Sequence, residues 1–353
     1  MRAREPHGRG KKQDKNIAGF GRTNSETRRK RMLKDLHPKI SIIGCGNVGV
    51  RYAYGLLMKG IGREIVIVDT DRKKLEGEVA DLSHGMPYTT NPIQITAGDY
   101  SDIRNSELVV ITAGKKQEKG QTRTELAQNN VDLFKKIIPE IMLYSPNSVF
   151  LVVTNPLDVM TYAAYKISGK PSSEVIGSGT VLDTARFRYL LASRCSVDAR
   201  NIHAYILGEH GDTEFPVWSR AMVGGMFFNE YCKAFCTRGD SCNITVKRSR
   251  IVEEVKNSAY NIIENKGETS YGIGLSLVRI TRAIINNENA ILPVSVHMEN
   301  FYGISDCYLS LPSIINRKGI REVLRLQLDE KEKSCLEYSS AAIKRVIEKA
   351  KLS

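Results

Sequence analysis

No apolar run in this chain approaches the roughly 20 residues needed to cross a bilayer, and the N-terminus has no apolar core of the secretory kind, so a soluble, cytoplasmic protein is expected. Cysteine is sparse for 353 residues: seven, an odd number, scattered through a chain too large to need stapling. A disulfide framework is therefore excluded and a reducing compartment favoured. Cys232, Cys236 and Cys242 cluster loosely, but the spacing lacks a paired second knuckle and no histidine lies near. Structural or incidental cysteines fit better than a zinc site, and no metal is expected. With 41% hydrophobic and 26% charged residues, the composition is that of an ordinary globular protein with one large or two smaller domains.

Charge is unevenly placed. The net charge is +13, and residues 1–35 alone carry twelve Lys or Arg against four Asp or Glu. This polar, glycine-containing stretch reads as a disordered basic extension. It is a solvated tail, an upstream start ahead of Met32, or an arm for nucleic acid or anionic lipid. It has no interleaved aromatics for stacking on bases, which disfavours nucleic acid. Its acidic residues argue against an organellar transit peptide.

Order begins at Lys39. "KISII" (39–43), "GCGNVG" (44–49) and "VRYAYGLLMKG" read as strand, glycine turn and helix. Gly44 permits the tight turn, Gly46 lets backbone approach a pyrophosphate, and Gly49 lets helix and strand pack closely. The helix N-terminus then offers free N–H groups to phosphate. A second apolar run, "EIVIVD", ends in Asp69, twenty residues past Gly49. An acid there accepts the ribose hydroxyls of an adenosine and repels a 2′-phosphate, so the implied cofactor is NAD rather than NADP. Further strands are expected at 92–96, 107–114 and 148–156, with helices over 73–82 and 124–144 between them. Continuous apolar strands alternating with helices imply a doubly wound parallel sheet covered on both faces, with ligands at the carboxyl ends of the strands. The charged segment "TAGKKQEKGQTRTEL" (112–126) leaves its strand at that edge, so it reads as a binding loop rather than a linker.

"GSGTVLDTARFRYLL" (177–191) reads as a helix with Asp183 and Arg186 three apart on one face. "AYILGEHGDTEFP" (204–216) carries a strand into a glycine-rich turn holding His210. The run "LGEHGDT" resembles the active-site signature of the bacterial-type L-lactate dehydrogenases, within the lactate/malate dehydrogenase family. "GQTR", "VVTNPLDV" and "LDTARFR" match the same family in the same order, and the resemblance runs from about Lys39 to the C-terminus.

The chemistry such a reaction requires can be placed on these residues. Reduction of a 2-oxo acid needs a hydride, a proton, polarisation of the carbonyl and a grip on the carboxylate. NADH supplies the hydride. His210 suits the acid–base role because imidazole titrates near neutrality. Asp183 would fix its tautomer and stabilise the imidazolium. Arg186 offers a planar fork for the substrate carboxylate. Arg123 would swing in with its loop to polarise the carbonyl and exclude water. Asn155 would hydrogen-bond substrate or orient the carboxamide region, with Val153 and Ser178 lining the nicotinamide. The resemblance assigns the same roles, and places Asn47, Val48, Thr112, Ala113 and Gly114 among the cofactor contacts.

It also implies that the residue six before Arg123 reads the substrate's side group, where an arginine would pair with a second carboxylate. This chain has Gln117, which can cover a methyl group but would leave a second carboxylate unpaired. Thr269 is small enough to leave room for that methyl. Pyruvate and L-lactate are thus expected, with malate or a broader 2-hydroxy acid as the alternative; Lys116 and Lys119 flank Gln117 and can steer anions. Arg188 and His203 stand where many family members bind fructose 1,6-bisphosphate at a subunit interface, against a plain salt bridge and a core hydrogen bond. A homotetramer is implied by the resemblance alone. The NAD-dependent glycosidases use a metal site for which the chain shows no ligand set, and a nucleic-acid binder built on a retired enzyme is disfavoured by the intact Arg123, Asp183, Arg186 and His210. The expected architecture is a Rossmann-type NAD domain at 36–177, after the 1–35 extension, and a mixed α/β catalytic domain at 178–353. A helix over 249–271 is expected to return to the cofactor site, with Tyr271 and its aliphatic residues in the core. A terminal amphipathic helix would bury Leu336, Ile343, Val346 and Ile347 on one face.

Overall fold

The computed structural model describes residues 38–115, 120, 122–235, 244–350 and 352, without the side chains of 244–247. The 1–35 extension, Gln117 with its flanking lysines Lys116 and Lys119, and Cys236 and Cys242 lie outside the described residues.

The apolar runs become the parallel strands β1 (Lys39–Ile43), β2 (Glu64–Val68), β3 (Gln94–Gly98), β4 (Leu108–Ile111), β5 (Val149–Val152) and β6 (Val175–Gly177). Their order across the sheet is β3-β2-β1-β4-β5-β6. Such strands read as unbroken Val, Ile and Leu because helices cover both faces; β4 and β5 are buried at every position. The helices are α1 (Asn47–Lys59), α2 (Arg72–His84), α3 (Arg123–Tyr144) and α4 (Leu157–Ser168). The third strand sits two residues later than expected, and β6 precedes the helix α5 (Val181–Cys195) where the sequence reading had helix from residue 177.

The sheet does not stop at β6. A long hairpin, β12 (Ala290–Phe301) and β13 (Ile304–Asn316), adds antiparallel through Ser295 opposite Gly177, and β14 (Gly319–Val323) completes nine strands. Between β6 and the hairpin the chain forms two small sheets. One holds β7 (Ile202–His203), β10 (Met222–Val223) and β11 (Met226–Phe227); the other pairs β8 (Ile206–Leu207) with β9 (Phe215–Pro216). The remaining helices are α6 (Phe228–Phe235), α7 (Ile244–Lys266), α8 (Tyr271–Ile285) and α9 (Glu330–Lys349). On α9, Leu336, Ile343 and Ile347 are buried and Val346 packs partly buried beside them. Lys39–Ser353 forms one compact unit.

One packing expectation fails. Tyr271 is 63% exposed, with the Arg51 guanidinium and Lys266 ammonium over its ring. On α7, Ile251 and Val255 are buried but Ile262 and Ile263 are exposed. The helix has one inward face, and its aliphatic residues are spread around it.

Candidate active site

Every position assigned to the cofactor follows the carboxyl end of a parallel strand: Gly44–Gly49 after β1, Asp69 after β2, Thr112–Gly114 after β4, Val153 and Asn155 after β5, and Ser178 after β6. Strands β1 and β4 are neighbours from which the chain winds in opposite directions, so the crevice lies at the switch point of the sheet. The glycines have distinct reasons to be glycine. Gly44 adopts φ +114°, and a Cβ there would lie 2.6 Å from the Ala113 nitrogen. A Cβ on Gly49 would lie 2.1 Å from the Gly44 carbonyl oxygen, so helix and strand close up only without one. At Gly46 a Cβ would meet nothing within 4 Å. That open space, beside the start of α1, fits a pyrophosphate held by backbone N–H groups. Asn47 and Val48 form the first turn of α1. The Asp69 carboxylate accepts from the Cys45 N–H at 2.5 Å and the Asp71 N–H at 2.9 Å, which ties the β2 end to the glycine turn.

The base of the charged loop is fixed from below. Asn130 on α3 accepts from the Lys115 N–H at 2.8 Å and donates to the Asn155 carbonyl at 2.7 Å. The Thr154 hydroxyl donates to the Ala113 carbonyl at 2.7 Å. Asn155 itself is exposed and precedes a cis proline. At the far end of the loop, Thr122 and Glu125 cap α3 reciprocally, which places Arg123 in the first helical turn.

His210 sits on the turn between β8 and β9. The turn is pinned to the hairpin by paired backbone bonds between Gly208 and Ser310. It is also held by the His210 N–H, which donates to Asp158 at 2.8 Å, while the Ser295 hydroxyl donates to the other oxygen of Asp158 at 2.5 Å. The His210 Nδ1 lies 2.7 Å from one oxygen of Asp183, and Arg186 donates to the other at 2.8 Å. Asp183 is buried, Arg186 nearly so, and the His210 side chain keeps a quarter of its surface open. With Nδ1 committed to Asp183, Nε2 is the nitrogen left for a ligand. Burial alone would push the imidazole pKa down; the Asp183 carboxylate overcomes it and raises the value to about 9. Burial likewise opposes ionisation of Asp183, but His210 and Arg186 hold its carboxyl below the usual range.

These groups line a cavity of about 210 Å³. Its lining includes Arg123, Asn155, Asp183, Arg186 and His210 together with Val255, Lys256, Ala259, Tyr260 and Ile263 of α7. Arg123 is already docked: its guanidinium meets Glu209 at 2.8 Å and Asp212 at 3.1 Å, and a Cβ on Gly211 would collide with it. From α7, the Lys256 ammonium donates to the Asp212 carbonyl at 2.9 Å and the Tyr260 hydroxyl to its carboxylate at 3.3 Å.

The structure does not bring every expected residue here. Thr269, between α7 and α8, is half-buried and does not line the cavity. Arg188 on α5 and His203 in β7 do not line the cavity either. Arg188 donates to the carbonyl of Ala204 at 2.9 Å and its guanidinium lies 5.3 Å from the Tyr205 ring centre, while His203 is exposed. Conversely, the sequence reading missed Asp158, Glu209, Asp212, Glu214, Lys256 and Tyr260. Asp158, Glu209 and Asp212 sit inside the quoted motifs "TNPLDV" and "GEHGD", so proximity to the matched residues was the available signal. Glu214 directly follows "LGEHGDT" and carried the same signal; the α7 pair lies outside those motifs.

A dinucleotide cradle at the switch point of a doubly wound sheet, facing a His–Asp pair and a buried arginine, defines an NAD-dependent oxidoreductase. Residues 38–177 match the model of the lactate/malate dehydrogenase NAD-binding domain and residues 180–352 that of the family's alpha/beta C-terminal domain. The chain belongs to the lactate/malate dehydrogenase family. It is 48% identical over 309 residues to an L-lactate dehydrogenase of Acetivibrio thermocellus, covering 88% of this chain and 96% of the relative. To that of Gloeobacter violaceus it is 49% identical over 310 residues, covering 88% and 92%. A solved lactate dehydrogenase from a Medee basin deep-sea metagenome library superposes with a TM-score of 0.85 at 42% identity, covering 89% of this chain and 99% of that one.

Proposed function

We propose that the chain is an L-lactate dehydrogenase that reduces pyruvate to L-lactate with NADH. The observation that carries this reading is the arrangement around Asp183: one carboxylate orients both the imidazole and the guanidinium that a 2-oxo acid requires. NADH bound at the glycine turn supplies the hydride. Arg186 grips the substrate carboxylate through the guanidinium edge that Asp183 leaves free. Protonated His210 gives its proton from Nε2 to the carbonyl oxygen as negative charge develops there, and Asp183 stabilises the imidazolium before transfer. Arg123, held beside the His210 turn, polarises the same oxygen. In the reverse direction neutral His210 accepts the hydroxyl proton of lactate. The names of the similar enzymes support lactate over malate, and Gln117, lacking a charge for a second carboxylate, supports the same choice.

Gln117→Arg tests the specificity. The expected outcome is a shift of the pyruvate-to-oxaloacetate ratio of kcat/KM toward oxaloacetate by about 10²-fold or more; an unchanged ratio defeats the assignment. Fructose 1,6-bisphosphate activation through Arg188 and His203, in a homotetramer, belongs to this reading. The exposure of His203, and the bond of Arg188 to the residue that follows it, support it. Activation that survives Arg188→Gln places the effector elsewhere.

A further inference from the structure

One acid in the cavity has no part in the chemistry above. Glu214 follows the His210 turn and lines the cavity, yet it is only 5% exposed. Among the described residues no donor hydrogen-bonds its carboxyl. Its oxygen, a His210 ring nitrogen and an Asp183 oxygen all lie within 4.8 Å of one another. A carboxylate on so buried a residue, so near a second carboxylate, is costly in its charged form.

We propose that Glu214 is a second proton-holding residue of the cavity, and that the anionic 2-oxo acid binds only when both His210 and Glu214 carry protons. This rests on the substrate class assigned above. The charges facing Glu214 support it. Asp183 and Arg186 on α5 cancel. The substrate carboxylate and the His210 imidazolium cancel. Lys256 on α7 is committed to the turn through the Asp212 carbonyl, and Arg123 to Glu209 and Asp212. An ionised Glu214 would add one unbalanced negative charge as the cavity fills. Burial first, and then Asp183, hold its carboxyl well above the usual carboxylate range, against the pull of His210, Arg186 and Lys256. In the empty cavity at alkaline pH, Glu214 and His210 compete for one proton, so loss of either proton weakens the substrate.

The test is the pH dependence of oxamate affinity, oxamate being the unreactive amide isostere of pyruvate. It is measured by fluorescence titration of the NADH complex of the full chain. With increasing pH, the logarithm of the affinity is expected to fall with a limiting slope one proton steeper in the unaltered chain than in Glu214→Gln. Glu214→Asp, which keeps an ionisable group, should restore the steeper slope; Glu214→Ser replaces the amide variant if that fails to fold. Equal slopes in the unaltered chain and the non-ionisable variant would overturn the role of Glu214 alone. Absence of oxamate binding at pH 6 would instead overturn the 2-oxo acid reading on which it rests.

Discussion

Replacing Asp183 by Asn removes the charge that keeps His210 protonated while leaving an acceptor of similar shape. The size of the effect follows from the local electrostatics. The imidazole is raised from 6.5 to about 9, a preference for the charged form worth about 3 kcal/mol at roughly 1.4 kcal/mol per unit. Without the Asp183 charge, burial opposes only the weaker pull of Glu214 and Asp158, so its pKa should fall toward 6.5 or below. Pyruvate reduction draws on protonated His210. At pH 7.5 nearly all of the unaltered enzyme carries that proton and about a tenth of the variant would, so protonation alone costs about tenfold in kcat/KM, more at pH 8 and little at pH 5.5. The assay is NADH oxidation with pyruvate across pH 5.5 to 9.5, with a thermal melt to confirm folding. The alkaline limb should move from about 9 to 6.5 or lower. The same pair has a stability signature of fixed sign. A raised histidine contributes stability that is complete below 6.5 and lost as the pH rises through about 9, so this loss should be present in the unaltered chain and absent in the variant. An alkaline limb that stays near 9 in Asp183→Asn would refute the reasoning.

Arg186→Lys keeps the charge but loses the fork; kcat/KM for pyruvate should fall about 10²-fold, mostly through KM, with NADH affinity unchanged in a fluorescence titration. The glycine turn yields a paired expectation. Gly46→Ala faces open space, so it should weaken NADH binding without lowering the melting temperature. Gly49→Ala puts a Cβ 2.1 Å from the Gly44 carbonyl oxygen, so it should lower both.

The cofactor half was legible because its physics is local. A strand buried on both faces needs consecutive apolar residues, and a backbone approaching phosphate needs glycines at fixed spacing. "KISII", "EIVIVD" and Gly44, Gly46 and Gly49 meet those needs within a few residues of chain. The hairpin β12–β13 was not legible, although it positions His210. Ser295 and Ser310 are fully buried on its inner face, and Pro293 stands opposite Pro312, so the usual alternation is broken. Ser295 belongs inside because Asp158, distant in sequence, accepts its hydroxyl there, and at Ser310 it is the backbone that pairs with Gly208. Glu214 was hidden for the opposite reason. In sequence it is an ordinary acid beside "FP", and its burial beside Asp183 and His210 exists only in the folded chain. Arg188 read as an effector ligand from the resemblance alone, and the bond of its Nε to the Ala204 carbonyl exists only in the folded chain.

The most direct test of the account is NADH oxidation by the purified chain with pyruvate and with oxaloacetate at equal concentration near pH 7. Strong preference for pyruvate, abolished by His210→Gln, is the expected result. Preference for oxaloacetate would contradict the assignment of a substrate with a single carboxylate, and undiminished turnover in His210→Gln would contradict the mechanism itself.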